Sequence, residues 1–143
     1  MARILVVDDT DSIRLGLSLL LRRAGHEPLL AAGGADALDL LAGTRPDLIL
    51  LDLSMPEVDG LAVLEELQDW PAMAGVPIIV YSAVTDETTR RQVTKLGAAE
   101  FISKGAMTWP ELARRLEAHL NPPAGGMVGE LSPDGGPARQ LVP

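Results

Sequence analysis

Polar side chains stand at or near the ends of four short apolar runs in the sequence. They are Asp8 and Asp9 after the first run, Asp52 after the third, Ser82 after the fourth and Lys104 after the fifth. In an open parallel sheet the carboxyl ends of the strands share one edge, where ligands bind, so these side chains would converge there. Three carboxylates this close repel one another unless a cation lies among them, and oxygen ligands suit Mg²⁺.

A carboxylate beside a cation, a hydroxyl and an ammonium group has the parts of a phosphoryl-transfer site. The side chains of Lys104 and Ser82 could bind phosphoryl oxygens. The carboxylate of Asp52 could itself act as the nucleophile and form an aspartyl phosphate. The residues alone therefore predict Mg²⁺-dependent phosphoryl transfer, with Asp52 as the candidate acceptor.

The runs that must position these side chains alternate with helical patterns along the chain. Continuous apolar runs such as 48–51 and 78–81 are typical of parallel strands that helices cover on both faces. Right-handed crossovers limit such a chain to a few doubly wound sheets. We therefore predict an α/β fold, a flavodoxin-like sheet of five parallel strands in the order 2-1-3-4-5 with five helices. The predicted strands lie at 4–7, 28–32, 48–51, 78–81 and 100–102.

Polar residues also mark the starts of two helices. Asp11 or Ser12 is predicted to cap the first helix. Thr108, with Glu111 three residues later, predicts a capping box at the last helix. The pair Arg90-Arg91 in the fourth helix is expected on a solvated face.

Composition excludes several classes of protein. The 143 residues contain no cysteine, which rules out a disulfide framework, a thiol nucleophile and a cysteine-bound metal. The net charge of −8 argues against direct binding of nucleic acid or of an anionic membrane surface. No apolar run approaches the length of a membrane span, and the first residues lack the pattern of a signal peptide. We expect a cytoplasmic protein.

The composition changes near residue 121. Ten of the last 23 residues are glycine or proline, and few are large and apolar. Such a segment buries too little surface to offset its ordering entropy. We predict one domain at 1–120 and a flexible tail at 121–143, too short for an output domain, although a longer protein that continues past this tail is an alternative.

The quoted residues, taken together, resemble a known family. Asp8-Asp9, then Asp52 followed by Leu-Ser-Met-Pro-Glu-Val-Asp-Gly, then Ser82-Ala83, then Phe101-x-x-Lys104, are similar to the receiver domain of bacterial two-component response regulators. The resemblance runs from residue 3 to about residue 120 and includes the order of the elements. It points to a single-domain response regulator.

The resemblance implies a role for each matching residue. Asp52 would accept the phosphoryl group, and Lys104 would pair with it. Asp9 would bind Mg²⁺ directly and Asp8 through water, with the main-chain carbonyl of Ser54 as a further ligand. Ser82 and Phe101 match the two switch positions: the hydroxyl moves toward the phosphoryl group, and the aromatic ring then turns inward.

The resemblance also implies partners and a mode of action. A histidine kinase or a histidine phosphotransfer protein would supply the phosphoryl group, and a downstream protein would read the fourth helix, the fifth strand and the fifth helix. The protein would be a monomer or a phosphorylation-dependent dimer. Its only chemistry would be self-phosphorylation and self-dephosphorylation, so it would not be an enzyme that turns over a separate substrate.

Two alternatives remain at this point. Asp9-Thr10-Asp11-Ser12 resembles the opening motif of haloacid-dehalogenase-like phosphatases, with Asp9 as nucleophile and Asp11 as general acid. The chain is short for that family and leaves Asp52 unexplained. A receiver-like scaffold that signals without phosphate is the other alternative, because Gly105 follows Lys104 where most receivers have a proline in a cis peptide. We expect a trans bond there and a rearranged loop.

Overall fold

Five parallel strands form a single sheet. The computed structural model describes residues 1–54, 60–83 and 86–121. Within them the strand order is β2-β1-β3-β4-β5, as the sequence predicts. The strands are β1 (Arg3–Val7), β2 (Glu27–Ala31), β3 (Leu48–Leu51), β4 (Ile78–Ser82) and β5 (Glu100–Ser103).

Helices connect the strands and follow the last one. They are α1 (Asp11–Arg23), α2 (Gly34–Gly43), α3 (Gly60–Gln68), α4 (Glu87–Lys95) and α5 (Trp109–Leu120), with a short 3₁₀ turn at Pro71–Met73. The chain divides into two units, Met1–Ala113 and Arg114–Pro143, and the whole sheet belongs to the first. No helix in the described part of the chain is long and apolar enough to cross a membrane.

The central strands are buried along their whole length, which explains their unbroken apolar runs. Every residue of Leu48–Leu51 and of Ile78–Ser82 is buried. A strand with helices on both sides exposes neither face to water, so alternation with polar residues would bury unpaired polar groups. The tail predicted at 121–143 lies, apart from Asn121, outside the described residues, and that domain division stays a prediction.

The structure confirms one of the two predicted helix caps and contradicts the other. Thr108 and Glu111 form the predicted capping box: the Thr108 amide donates to the Glu111 carboxylate at 2.7 Å, and the Glu111 amide donates to the Thr108 hydroxyl at 3.2 Å. The predicted cap of α1 by Asp11 or Ser12 is wrong. Thr10 is the N-cap, and its side chain makes no cap hydrogen bond. Asp11 is the first residue of the helix, and its carboxylate pairs with the guanidinium of Arg14.

Gly60 at the start of α3 lies against the backbone that carries Asp52. A Cβ atom on Gly60 would lie 2.3 Å from the carbonyl oxygen of Asp52 and 2.6 Å from the Cα atom of Leu53. The Gly60 amide also donates to the Leu53 carbonyl at 3.0 Å. The absence of a side chain at Gly60 therefore allows α3 to begin directly beside the end of β3.

We expect Gly60→Ala to lower the free energy of unfolding by about 1–3 kcal/mol, because the added methyl group meets backbone that must shift. Urea denaturation would measure the loss. Gly43→Ala is the matched control, since a Cβ atom there would meet nothing within 4 Å. Equal stabilities of the two variants would contradict the close approach at Gly60.

Candidate functional site

The sheet brings three carboxylates together at its carboxyl edge. Val7 of β1 and Leu51 of β3 are paired in register, so Asp8 and Asp52, each one residue further on, lie side by side. Carboxylate oxygens of Asp8, Asp9 and Asp52 all lie within 4.8 Å of one another. Asp8 and Asp52 are buried, at 2 % and 4 % exposure, whereas Asp9 is exposed. The predicted cluster is present, and one of its members, Asp9, is exposed.

Lys104 reaches this cluster from the end of β5. Its amide donates to the carbonyl of Ser82 at 2.9 Å, which continues the pairing of β4 with β5 past the last strand residue. Its ammonium group donates to Asp8 Oδ2 at 2.9 Å and lies 3.5 Å from Asp52 Oδ2. Burial would lower the pKa of Lys104, but the hydrogen bond to Asp8 and the charges of both carboxylates outweigh it, so the pKa is raised.

The carboxyl group of Asp52 is hard to ionise in this position. Burial raises its pKa, and the charge of Asp8 raises it further. The ammonium of Lys104 and the Ser54 amide, which donates to Asp52 Oδ1 at 3.4 Å, oppose this effect without cancelling it. The site therefore holds more negative charge than Lys104 neutralises.

A divalent cation fits this excess of negative charge. The three carboxylates offer only oxygen ligands, which is the donor set that Mg²⁺ takes. Ser54, whose carbonyl is a predicted ligand, stands two residues after Asp52 at an exposed position. Residues 55–59 that follow it lie outside the described residues.

The raised pKa of Asp52 means that its ionisation destabilises the folded state. A carboxyl group that ionises less readily in the folded state makes that state bind more protons, so stability falls as pH rises past the unfolded value of 3.8. In Mg²⁺-free buffer at pH 7 we expect Asp52→Asn to raise Tm by roughly 3–6 °C, which corresponds to about 1 kcal/mol in a domain of this size. Differential scanning calorimetry would measure it. The gain should disappear below the unfolded pKa, and a lower Tm at pH 7 would contradict it.

Asp8 is fixed at three of its atoms. Its Oδ1 accepts from the Thr10 amide at 2.8 Å, and its Oδ2 accepts from Lys104. Its main-chain carbonyl accepts from Nη1 of Arg14 at 2.6 Å. The contact of Arg14 with the Asp8 carbonyl was not predicted, although the spacing of Asp11 and Arg14 by three helix positions is a signal of their pairing.

The two predicted switch residues lie on neighbouring strands. Ser82 is fully buried at the end of β4, and Phe101 is half-buried on β5. The guanidinium of Arg90 lies 4.5 Å from the centre of the Phe101 ring and donates to the hydroxyl of Ser103 at 3.2 Å. Arg90 is half-buried and bridges α4 to β5, so its expected place on a solvated face is wrong, while the neighbouring Arg91 is exposed.

The loop after Lys104 has a backbone that proline could not adopt. Gly105 has a φ of +84°, in the left-handed region that glycine tolerates. Proline is held near −65°. Gly105 therefore allows a different path of the chain from the one a proline would impose, and the trans isomer of the preceding bond stays a prediction.

Comparison with known proteins agrees with this fold. The family model described as the response regulator receiver domain matches residues 4–117. The probable transcriptional regulator ycf27 of Porphyridium aerugineum is 37 % identical over 118 residues, which are 82 % of this chain and 46 % of that protein. The response regulator MprA of a Mycobacterium species (strain KMS) is 36 % identical over 135 residues, 94 % of this chain and 54 % of that protein.

A solved structure agrees as well. Chemotaxis protein CheY4 of Vibrio cholerae superposes with a TM-score of 0.78 at 29 % identity, covering 84 % of this chain and 99 % of that one. The chain belongs to the response regulator receiver domain family. It spans about half the length of the curated relatives ycf27 and MprA that it matches.

Membership of this family places the chain in two-component signalling. Receiver domains are signalling domains rather than enzymes that turn over a substrate, and they bind Mg²⁺ at an acidic pocket. They act with histidine kinases and downstream targets. The comparisons support neither the phosphatase nor the phosphate-independent scaffold. Asp11, the general acid of the phosphatase alternative, has a side chain that is 93 % exposed and pairs with Arg14.

Proposed function

We propose that this receiver domain accepts a phosphoryl group on the carboxylate of Asp52 in a Mg²⁺-dependent reaction. The length of the contacts to its oxygens supports Asp52, rather than Asp8 or Asp9, as the phosphoryl acceptor. The contacts described for them are long, 3.4 Å from the Ser54 amide and 3.5 Å from Lys104. Both oxygens of Asp8 are occupied by hydrogen bonds below 3 Å, and Asp9 is exposed. Asp52 is thus the buried carboxylate most available for bond formation.

The chemistry follows from the positions of these side chains. An oxygen of Asp52 forms a bond to phosphorus while the bond from phosphorus to the donor breaks and its electron pair leaves with the donor group. Lys104 lies within reach of the oxygens of a group on Asp52 and would pair with its charge. Hydrolysis of the acyl phosphate by water would release inorganic phosphate and return Asp52 to its carboxylate form.

Asp9, Asp8 and the carbonyl of Ser54 would hold Mg²⁺, with Asp9 as a direct ligand and Asp8 acting through water. When bound, the ion would offset the negative charge of the carboxylates and of the phosphoryl oxygens, so that an oxygen of Asp52 can approach phosphorus. Asp9 suits direct binding because it is exposed, whereas Asp8 is already bound to Lys104 and to the Thr10 amide.

Signalling would follow from Ser82 and Phe101. The Ser82 hydroxyl would move to the phosphoryl group, and the Phe101 ring would turn inward, away from the guanidinium of Arg90. A downstream protein would read residues of α4, β5 and α5. Contact of Arg90 with both Phe101 and Ser103 supports this role, because any movement of the ring must alter how α4 is held on β5.

The proposed partners are a histidine kinase or a histidine phosphotransfer protein as donor and a protein as target. The excess of acidic over basic residues supports a target other than nucleic acid. We propose that the protein acts in the cytoplasm, as a monomer or as a dimer that forms on phosphorylation, and that its only chemistry is its own phosphorylation and dephosphorylation.

Intact-mass spectrometry after incubation with phosphoramidate tests this function. We expect one phosphoryl adduct with Mg²⁺ and none with excess chelator. A beryllofluoride complex, detected by a rise in Tm that needs Mg²⁺, is the second test if the adduct hydrolyses too fast to detect. Absence of both the adduct and the beryllofluoride complex would contradict the proposed function.

A further inference from the structure

Arg14 of α1 directs its guanidinium at the backbone of the acidic site. Nη1 donates to the Asp8 carbonyl at 2.6 Å, and Nη2 pairs with the carboxylate of Asp11. The Arg14 side chain is only 17 % exposed, whereas that of Asp11 is 93 % exposed. The more buried of its two partners, and therefore the one that costs more to leave unpaired, is the carbonyl of Asp8.

The Asp8 carbonyl belongs to the peptide that leads into Asp9. A hydrogen bond to that oxygen restricts rotation of the peptide plane, and the rotation of this plane sets where the Asp9 side chain points. The side chain of Asp8 is held separately by the Thr10 amide and Lys104. Because Asp9 is exposed, the direction of its side chain depends on the backbone that leads into it.

We propose that Arg14 is a positioning residue for the Mg²⁺ site, which holds the Asp8–Asp9 peptide so that the Asp9 carboxylate faces Asp8 and Asp52. This inference rests on the proposed Mg²⁺-dependent function. The planar fork of a guanidinium suits the role, because it donates to a carbonyl and to a carboxylate at once. A lysine at this position would offer a single point of charge instead.

Positioning and charge have opposite consequences for Mg²⁺ affinity. A guanidinium near a cation site repels the cation, so its removal strengthens Mg²⁺ binding if charge is all that matters. If Arg14 positions the ligands, its removal weakens binding. Loss of residues that orient metal ligands typically costs 10–100-fold in affinity. We expect about a tenfold rise in the Kd of Mg²⁺ for Arg14→Met.

Calorimetric titration with Mg²⁺ would compare wild type, Arg14→Met, Arg14→Lys and Arg22→Met. Arg22 lies on the same helix at an exposed position, and its variant controls for loss of a charge from α1. Arg14→Lys keeps the charge and loses the fork, so we expect it to bind Mg²⁺ several-fold more weakly too. Arg22→Met should bind as wild type does.

A second measurement needs no metal. Amide hydrogen exchange in Mg²⁺-free buffer should be faster at Thr10 in Arg14→Met, because the turn that presents its amide to Asp8 is released. Exchange at Leu5 within β1 should be unchanged. Unchanged or tighter Mg²⁺ binding in Arg14→Met would overturn the inference, and if that variant does not fold, the affinity of Arg14→Lys decides instead. Failure of the wild type to bind Mg²⁺ would overturn the proposed function as well.

Discussion

Asp52→Asn is expected to take up no phosphoryl group from phosphoramidate in the presence of Mg²⁺. The amide that replaces the carboxylate has the same shape but no nucleophilic oxygen. Removal of the nucleophile in other covalent mechanisms slows the reaction by about 10⁴-fold or more, so the adduct should fall to background. Intact-mass spectrometry of variant and wild type, incubated side by side, would measure the loss.

Asp39→Asn is the matched control for this result. It makes the same substitution at an exposed position of α2, away from the carboxyl edge of the sheet, and should form the adduct as wild type does. Because Asp52→Asn is also expected to be more stable than wild type without Mg²⁺, the loss of the adduct could not be attributed to unfolding. A Mg²⁺-dependent adduct that persists in Asp52→Asn would show that another residue accepts the phosphoryl group.

Lys104→Met is expected to destabilise the fold by about 1–3 kcal/mol at pH 7 in Mg²⁺-free buffer. Lys104 contacts two buried carboxylates, and its removal leaves both without their cation. The raised pKa of Lys104 means that its contribution is complete below the unfolded value of 10.5 and is lost as pH rises through the folded value. Urea denaturation at pH 7 would measure the difference.

Three comparisons test the cause of this loss. Lys95→Met removes the other lysine of the chain, at the exposed end of α4, and should cost less than about 1 kcal/mol. In an Asp52→Asn background, Lys104→Met should lower the free energy of unfolding by less, because only one of the two buried carboxylates is then left without its cation. Mg²⁺ should restore part of the stability. A cost equal to that of Lys95→Met would contradict the role of Lys104 in neutralising the site.

Lys104→Met should also slow phosphorylation of Asp52. A positioned cation that meets developing charge on a transferred group contributes about 10²–10³-fold in rate. The rate of adduct formation at saturating Mg²⁺ would measure this effect separately from stability. The retained nucleophile should still give a slow adduct, which distinguishes Lys104→Met from Asp52→Asn.

The sequence by itself determined the fold and the edge at which the site forms. The alternation of apolar runs with helical patterns is local, and right-handed crossovers then restrict how five such units can join. The strand order was therefore predictable, and with it the meeting of Asp8, Asp52, Ser82 and Lys104 at one end of the sheet. The capping box at Thr108 was predictable because it is local: its two partners are three residues apart.

Only the tertiary structure decided which side chains pair at that edge. Lys104 lies closer to Asp8 than to Asp52, Arg14 turns from the helix surface to a backbone carbonyl, and Arg90 covers Phe101 rather than facing water. In the sequence Gly60 has the pattern of an ordinary turn glycine, and only the structure shows that the backbone of Asp52 lies against it. Hydrogen bonds form or fail over a few tenths of an ångström, and such distances between segments as far apart as Asp8 and Lys104 are set by the packing of the whole sheet. Residue type and spacing predict that these groups lie near one another, and the packing of the sheet and helices determines which of them pair.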